Sequence, residues 1–339
     1  MRRFFLAILV LVGVSVVLPP LFYAFVPEEL PELPPPGGRI AVGGGVSVNA
    51  VARGSGAPVV LAHGLPGTAY DWAPLTEALA ERGLGVLAYD RVGFGHSDPR
   101  PDDDFTIEAN ARELLGLLES EDLRDATIVG WSYGGGTAIV AARLDPSRIG
   151  RLVLVGSSGP LEGEPPAIFA VLFSAPVLAW VRAVPPVSRG MQRVMSIEAF
   201  SEQPQPDWWL PQLRANLAAP HTSRTLREEG ARFSGDGLDP APIERPILVI
   251  HGDDDRLVPL AVGEGLHQSA QRSELLVVEG GKPHAPDHAP RPARGPDCRV
   301  HRGSLIRAQA MRFGLGGVAS MKKMEPNRAA IASTVKPLS

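Results

Sequence analysis

The chain has 339 residues, enough for one sizeable core or for a core carrying an inserted lid. Apolar residues make up 44% and charged residues 21%, ordinary globular proportions, and the net charge of -4 gives no reason to expect a polyanionic partner. The one cysteine, Cys298, excludes an internal disulfide and a Cys-rich zinc pattern.

Met1-Arg2-Arg3 is followed by an uncharged run from Phe4 to Val26. As a helix it would be about 34 Å long, against ~30 Å for a bilayer core. Pro19-Pro20 interrupts it, and the part before, Phe4 to Leu18, has the length of a signal-peptide apolar region. No clear small-x-small cleavage site precedes Glu28. Residues 1–26 are therefore read as an uncleaved membrane anchor, with a cleaved signal as the second reading and a buried or lid helix as the third. Arg2 and Arg3 place the remainder outside the cytoplasm, membrane-anchored, or secreted or periplasmic if the segment is removed. Residues 27–38 form a stiff Pro-rich linker.

Short apolar runs then alternate with helical patterns. Strands are predicted at Val46–Ala52, Pro58–Ala62, Gly85–Tyr89, Ala126–Gly130 and Arg151–Val155. Helices are predicted at Trp72–Arg82, stopping at Gly83, at Thr106–Ser120 and at Tyr133–Arg143. Thr106 is the N-cap of the second helix, with Asn110 and Glu113 on its polar face. Such alternation predicts a mainly parallel sheet with helices on both faces. It breaks over residues 160–240, rich in Pro, Phe, Leu and Trp, which read as a helical lid. It resumes with a strand at Pro246–His251, a helix near Ala261–His267 and a strand at Glu274–Val278. The core thus has two parts, 39–159 and 241–284, and no internal repeat.

Gly130-Trp131-Ser132-Tyr133-Gly134 fits G-x-S-x-G between a predicted strand and a predicted helix. The flanking glycines let neighbouring backbone pass a sharp turn without Cβ clashes. The helix starting at Tyr133 turns its first N–H groups towards developing negative charge.

With this motif in place, residues 40–284 resemble the α/β-hydrolase family. The resemblance implies an α/β-hydrolase fold with a helical lid inserted between strands 6 and 7. His63-Gly64-Leu65-Pro66-Gly67 is similar to the family's oxyanion loop, in the form common among epoxide hydrolases, haloalkane dehalogenases and related serine esterases. It implies an oxyanion hole made by the backbone N–H groups of Leu65 and Tyr133, with His63 as a structural brace. Asp90-Arg91-Val92-Gly93-Phe94-Gly95-His96-Ser97-Asp98 resembles D-x-x-G-x-G-x-S, a shaped turn, so Asp90, His96 and Ser97 are expected to be structural. His251-Gly252-Asp253-Asp254-Asp255-Arg256-Leu257-Val258-Pro259 resembles G-x-x-D-x-x-V-P, which selects Asp255 as the triad acid. Asp253 and Asp254 are left as a solvated loop. Glu279-Gly280-Gly281-Lys282-Pro283-His284 resembles the loop that ends in the catalytic histidine. Lys282-Pro283 departs from the pattern, where a single residue is more usual; His284 is assigned, with His288 as the alternative.

The resemblance implies a serine hydrolase acting on a small-molecule ester or related acyl bond through Ser132, Asp255 and His284, with no metal and no organic cofactor. Carbon–carbon bond hydrolysis or acyl transfer on the same triad is the alternative, and a catalytically impaired, membrane-tethered binding protein is the rival of another class. Dehalogenases and epoxide hydrolases of this fold use Asp at the elbow, so Ser132 argues against both. Phe169, Phe173, Trp180, Phe200, Trp208 and Trp209 could line an apolar acyl pocket or form the lid's own core. Nothing resembles a nucleic-acid fold.

Residues 285–339 do not read as a closing helix. They carry ten Lys or Arg against three Asp or Glu, a net of +7, whereas the first 284 residues carry -11. A shifted reading frame is one explanation of the reversal. Codons for Asp297-Cys298-Arg299-Val300-His301-Arg302, read one base later, can give Thr-Ala-Ala-Phe-Ile-Glu, the mix of a closing helix. A basic tail for anionic lipid or nucleic acid is the functional alternative.

Overall fold

The computed structural model describes residues 14, 16–25, 31–160, 180, 183–190, 207–255 and 257–278. Eight strands form one sheet: β1 (Gly38–Ala41), β2 (Ser47–Arg53), β3 (Pro58–Ala62), β4 (Gly85–Tyr89), β5 (Ala126–Trp131), β6 (Ile149–Val155), β7 (Ile247–Gly252) and β8 (Ser273–Val278). Their order is β1-β2-β4-β3-β5-β6-β7-β8. β1, β2 and β4 pair antiparallel, and every other neighbouring pair is parallel.

The central strands are apolar on both sides because both sides are covered. In β3, Val60 and Ala62 face one cluster while Val59 and Leu61 face the other, the period-two alternation of a pleated strand. The first cluster packs under α2 (Ile107–Ser120), α3 (Tyr133–Leu144) and α6 (Leu260–Ser269). The second packs under a 3-10 turn at Ala69–Trp72 and α1 (Ala73–Ala80). Burying one Leu such as Leu61 or Leu114 contributes roughly 1.5–3 kcal/mol.

Local signals set the helix ends. Thr106 Oγ1 accepts the Ala109 N–H at 3.2 Å and starts α2, whose Ala111, Leu114, Leu117 and Leu118 form the apolar stripe. Asn110 and Glu113, expected on the polar face, instead lie on the inner side. Asn110 is buried at 1% exposure, and Glu113 receives a bidentate pair from the buried Arg100 at 2.6 and 3.0 Å. The helix expected at Trp72–Arg82 is shorter, because the 3-10 turn occupies residues up to Trp72 and Gly83 leaves the helical region at φ 80.

β1 and the linker depart from expectation. A linker rich in Gly and Pro hides a four-residue edge strand, whose pairing comes from β2 and not from its own pattern. Ahead of it the linker lies against the core: Tyr70 Oη donates to the Pro35 carbonyl, His96 Nε2 to the Pro34 carbonyl at 2.8 Å, and the Gly37 N–H to Asn49 Oδ1 at 2.7 Å. Residues 16–25 are helical through Pro19-Pro20, and the Trp180 indole donates to the Val16 carbonyl at 2.8 Å. Among the described residues no helix is long and apolar enough to cross a membrane; the run before Val14 lies outside them.

Between β6 and β7 the described part of the insertion contributes α4 (Trp209–Ala218) and α5 (Pro220–Arg232). Trp209 and Leu213 form a small cluster with Trp208, Leu210 and Leu217 beside it. Phe169, Phe173 and Phe200 lie outside the described residues, as does the tail 285–339.

Candidate active site

Ser132 stands between the last residue of β5 and the first of α3, at φ 52 and ψ -118. A non-glycine residue in that region is strained, and the surroundings must hold it there. Its N–H donates to the Val155 carbonyl at 3.0 Å. Its own carbonyl receives the Gly135 N–H at 2.9 Å, the Ser158 N–H at 3.1 Å and the Ser158 hydroxyl at 3.0 Å. Gly134 and Gly130 provide the space: a Cβ on Gly134 would strike the carbonyls of Ala62 and His63, and one on Gly130 would strike the backbone of Gly134 and Gly135. Tyr133 begins α3, so its N–H lacks an intrahelical acceptor.

The His63–Trp72 loop passes over this turn. A Cβ on Gly64 would lie 3.2 Å from Cβ of Ser132. His63 is fully buried, and burial, helped by the charge of Arg91, drives its pKa well below the usual range. The neutral ring has Nδ1 2.8 Å from the Gly64 carbonyl, while Nε2 accepts the Arg91 N–H at 2.9 Å. That pattern fixes the proton on Nδ1, and both ring nitrogens are engaged in joining the two loops.

Asp90, His96 and Ser97 build the neighbouring turn. Asp90 accepts the Ala69 N–H at 2.6 Å, the Asn49 amide at 2.8 Å and the His96 N–H at 2.9 Å. Ser97 Oγ donates to the Asp90 carbonyl at 2.6 Å and accepts the Asn49 N–H at 2.8 Å.

Asp255 follows β7. Its Oδ1 accepts the N–H groups of Leu257 at 2.9 Å and Val258 at 2.8 Å, and burial lifts its pKa to about 6 despite both bonds. Its Oδ2 is buried and has no hydrogen-bond partner among the described residues. His251 Nε2 is 3.7 Å from that oxygen and is spent on the Val258 carbonyl at 2.8 Å. Since β6 separates β5 from β7, the carboxyl ends carrying Ser132 and Asp255 are about 10 Å apart at ~4.8 Å per strand, a gap that an imidazole can bridge. His284 and His288 lie outside the described residues.

The sequence reading passed over Arg91, Glu229, Gln212 and Asn216, all buried. Arg91 is held by Glu229 of α5 at 2.9 and 3.0 Å and by Asn110 Oδ1 at 2.8 Å. Its guanidinium lies 4.6 Å from the Phe94 ring centroid and 4.5 Å from that of Tyr133. Gln212 of α4 donates to Thr68 Oγ1 at 3.1 Å and Asp71 Oδ1 at 3.0 Å, and Asn216 donates to the Gly67 carbonyl at 3.0 Å. The unusual polarity of 220–232 is a sequence signal for Glu229 but not for Gln212 and Asn216, which lie in α4. A cleft of about 420 Å³ lies beside α3, lined by Tyr133, Arg143, Phe233 and Leu238 among others. No group of acidic, His or Cys side chains among the described residues could hold a metal.

A family model described as alpha/beta hydrolase fold matches residues 57–287. The chain belongs to the α/β-hydrolase family. It is 31% identical over 251 residues to a 2-hydroxy-6-oxononadienedioate/2-hydroxy-6-oxononatrienedioate hydrolase of Paraburkholderia xenovorans, covering 70% of this chain and 85% of that protein. It is 32% identical over 240 residues to a non-heme chloroperoxidase of Streptomyces lividans, covering 68% and 85%. A solved meta-cleavage product hydrolase from Pseudomonas fluorescens superposes with a TM-score of 0.60 at 25% identity over 72% of this chain and 90% of that one. An esterase from Exiguobacterium antarcticum, at 22% identity, TM-score 0.62 and coverage of 72% and 92%, shares the fold.

Proposed function

We propose that the chain is a serine hydrolase that cleaves carboxylic esters or related acyl bonds through Ser132, Asp255 and His284. The observation that carries this is Ser132 held in a positive-φ turn at the head of α3. Oδ2 of Asp255, without a partner among the described residues, supports it, because a buried carboxylate oxygen without a donor is costly unless a further N–H reaches it. The Nδ1–H of His284 is the donor we assign. Nε2 of His284 then takes the Ser132 proton as Oγ bonds to the acyl carbon, and the Leu65 and Tyr133 N–H groups receive the oxyanion. The carbon–oxygen bond breaks as His284 returns the proton to the leaving alcohol. Water, deprotonated by His284, cleaves the acyl-enzyme and restores Ser132. Removing a single oxyanion donor typically costs ~3 kcal/mol in the barrier.

The names of several relatives favour a second reading, hydrolysis of a carbon–carbon bond beside a ketone in a 2-hydroxy-6-oxo-dienoate. The same serine, giving its proton to His284, adds to the ketone carbon; the carbon–carbon bond breaks, His284 protonates the departing carbanion, and water then releases the acyl group from Ser132. Membrane attachment through residues 1–26 stays part of the proposal, tested by whether the full chain partitions with membranes and a chain begun at Pro31 does not.

Fluorophosphonate labelling tests the site. The wild-type chain should label at Ser132, and Ser132→Ala, Asp255→Asn and His284→Ala should each reduce labelling at least 100-fold. A His284→Ala chain that labels normally would move the base elsewhere, with His288 next. Turnover of p-nitrophenyl esters against a 2-hydroxy-6-oxo-dienoate then separates the two reactions.

A further inference from the structure

The Gly64–Leu65 peptide carries the N–H that the proposed mechanism needs. A peptide unit is planar, and its C=O and N–H point in opposite directions. The Gly64 carbonyl is held by His63 Nδ1 at 2.8 Å and reached by Arg91 Nη2 at 3.3 Å. Holding the oxygen on that side turns the Leu65 N–H away from His63 and Arg91, and Gly64 itself lies against Ser132, where an added Cβ would come within 3.2 Å of the serine Cβ. Arg91 is itself set by α5, since Glu229 meets Nη1 through both oxygens and also accepts the Asn110 amide at 2.8 Å. Both charged groups are at 1% exposure or less. The same guanidinium lies against the ring of Tyr133, the residue that carries the second N–H. The guanidinium thus touches the carbonyl end of the peptide whose N–H belongs to Leu65, and the ring of Tyr133, while its charge is balanced from the insertion.

We propose that Arg91, held by Glu229, is a positioning residue for the oxyanion hole, so that helix α5 of the insertion sets the orientation of the Leu65 N–H. This rests on the reading of Ser132 and its two N–H donors given above. A buried ion pair that only held the fold together would lower stability when altered and leave the chemistry of the surviving folded protein unchanged. A positioning pair changes transition-state binding in protein that is still folded.

The test uses the full chain with Arg91→Lys and Glu229→Gln. Arg100→Met breaks another buried ion pair, with Glu113, as a stability control. The readouts are the rate of fluorophosphonate labelling at Ser132, the affinity for a trifluoromethyl ketone that forms a tetrahedral adduct, and KM for an ester. Both variants should label about 10-fold or more slowly, somewhat less than outright loss of a donor. Their ketone affinity should fall in parallel while KM holds. Arg100→Met should lower Tm and label normally. Folded Arg91→Lys and Glu229→Gln chains that label at the wild-type rate would overturn the proposal. A wild-type chain that does not label would overturn the Ser132 reading beneath it. Should both variants fail to fold, hydrogen exchange on the wild-type chain decides. Adduct formation should slow exchange in both residues 63–72 and residues 220–232, and slowing confined to 63–72 would overturn the coupling.

Discussion

A methyl group added at Gly134 would run into the carbonyl oxygens of Ala62 and His63, which are backbone and have no rotamer to change. Gly134→Ala should therefore cost about 1–3 kcal/mol, read as a lower Tm, and should slow labelling at Ser132 because the displaced backbone belongs to the two loops that meet at the proposed site. Asp71 makes a pH prediction. Burial lifts its pKa to about 7, although its carboxylate accepts the Thr68 N–H and the Gln212 amide. The raised value means that between about pH 4 and 7 the folded chain holds a proton that the unfolded chain has lost. This contribution is fully present at low pH and disappears as pH rises through 7. The wild-type chain should accordingly lose stability relative to Asp71→Asn between pH 4 and 8, measured as the difference in denaturation midpoint. At this scale Ser132 was legible because G-x-S-x-G states a backbone requirement. Arg91 and Glu229 were not: they stand 138 positions apart, and neither neighbourhood announces a partner.

Helix α2 shows how tertiary contact can reverse a local preference. Alanine exceeds glycine by ~1 kcal/mol in a helix interior, yet a Cβ on Gly116 would press into the backbone of Val42 in the turn between β1 and β2. Gly116→Ala should therefore lower Tm, where helix propensity alone predicts a rise. The central strands and the α2 and α3 helices were legible because apolar runs bounded by glycine and polar turns admit few alternatives. β1 was not, since an edge strand of four residues takes its pairing from β2. The inner placement of Asn110 and Glu113 was hidden for a related reason. Polar residues at helical spacing read as a solvated face unless the buried arginines that meet them, Arg91 and Arg100, are already known to be there.

For the whole molecule, the Pro-rich segment ahead of β1 is tied to the surface of the core by hydrogen bonds. Carbonyls of Pro34 and Pro35 and the N–H of Gly37 are bonded to His96, Tyr70 and Asn49. A chain begun at Pro31 should be more stable than one begun at Arg39, by about 1 kcal/mol for each bond lost, as urea denaturation would show; equal midpoints would mean that these contacts contribute nothing. The fold class followed from the sequence because strand and helix patterns alternate along most of the described core. Of the three residues assigned to a triad from the sequence, Ser132 and Asp255 lie among the described residues and His284 does not.

The polar clasp also bears on how this protein can be rebuilt. Swapping the insertion for that of a relative assumes that the segment is a detachable part. Here α4 and α5 supply Gln212, Asn216 and Glu229, whereas Thr68, Asp71, Gly67 and Arg91 belong to the core. A transplanted segment lacking the acidic partner would strand a guanidinium in a dry interior. Successful chimeras should therefore carry position 91 and its acidic partner across together.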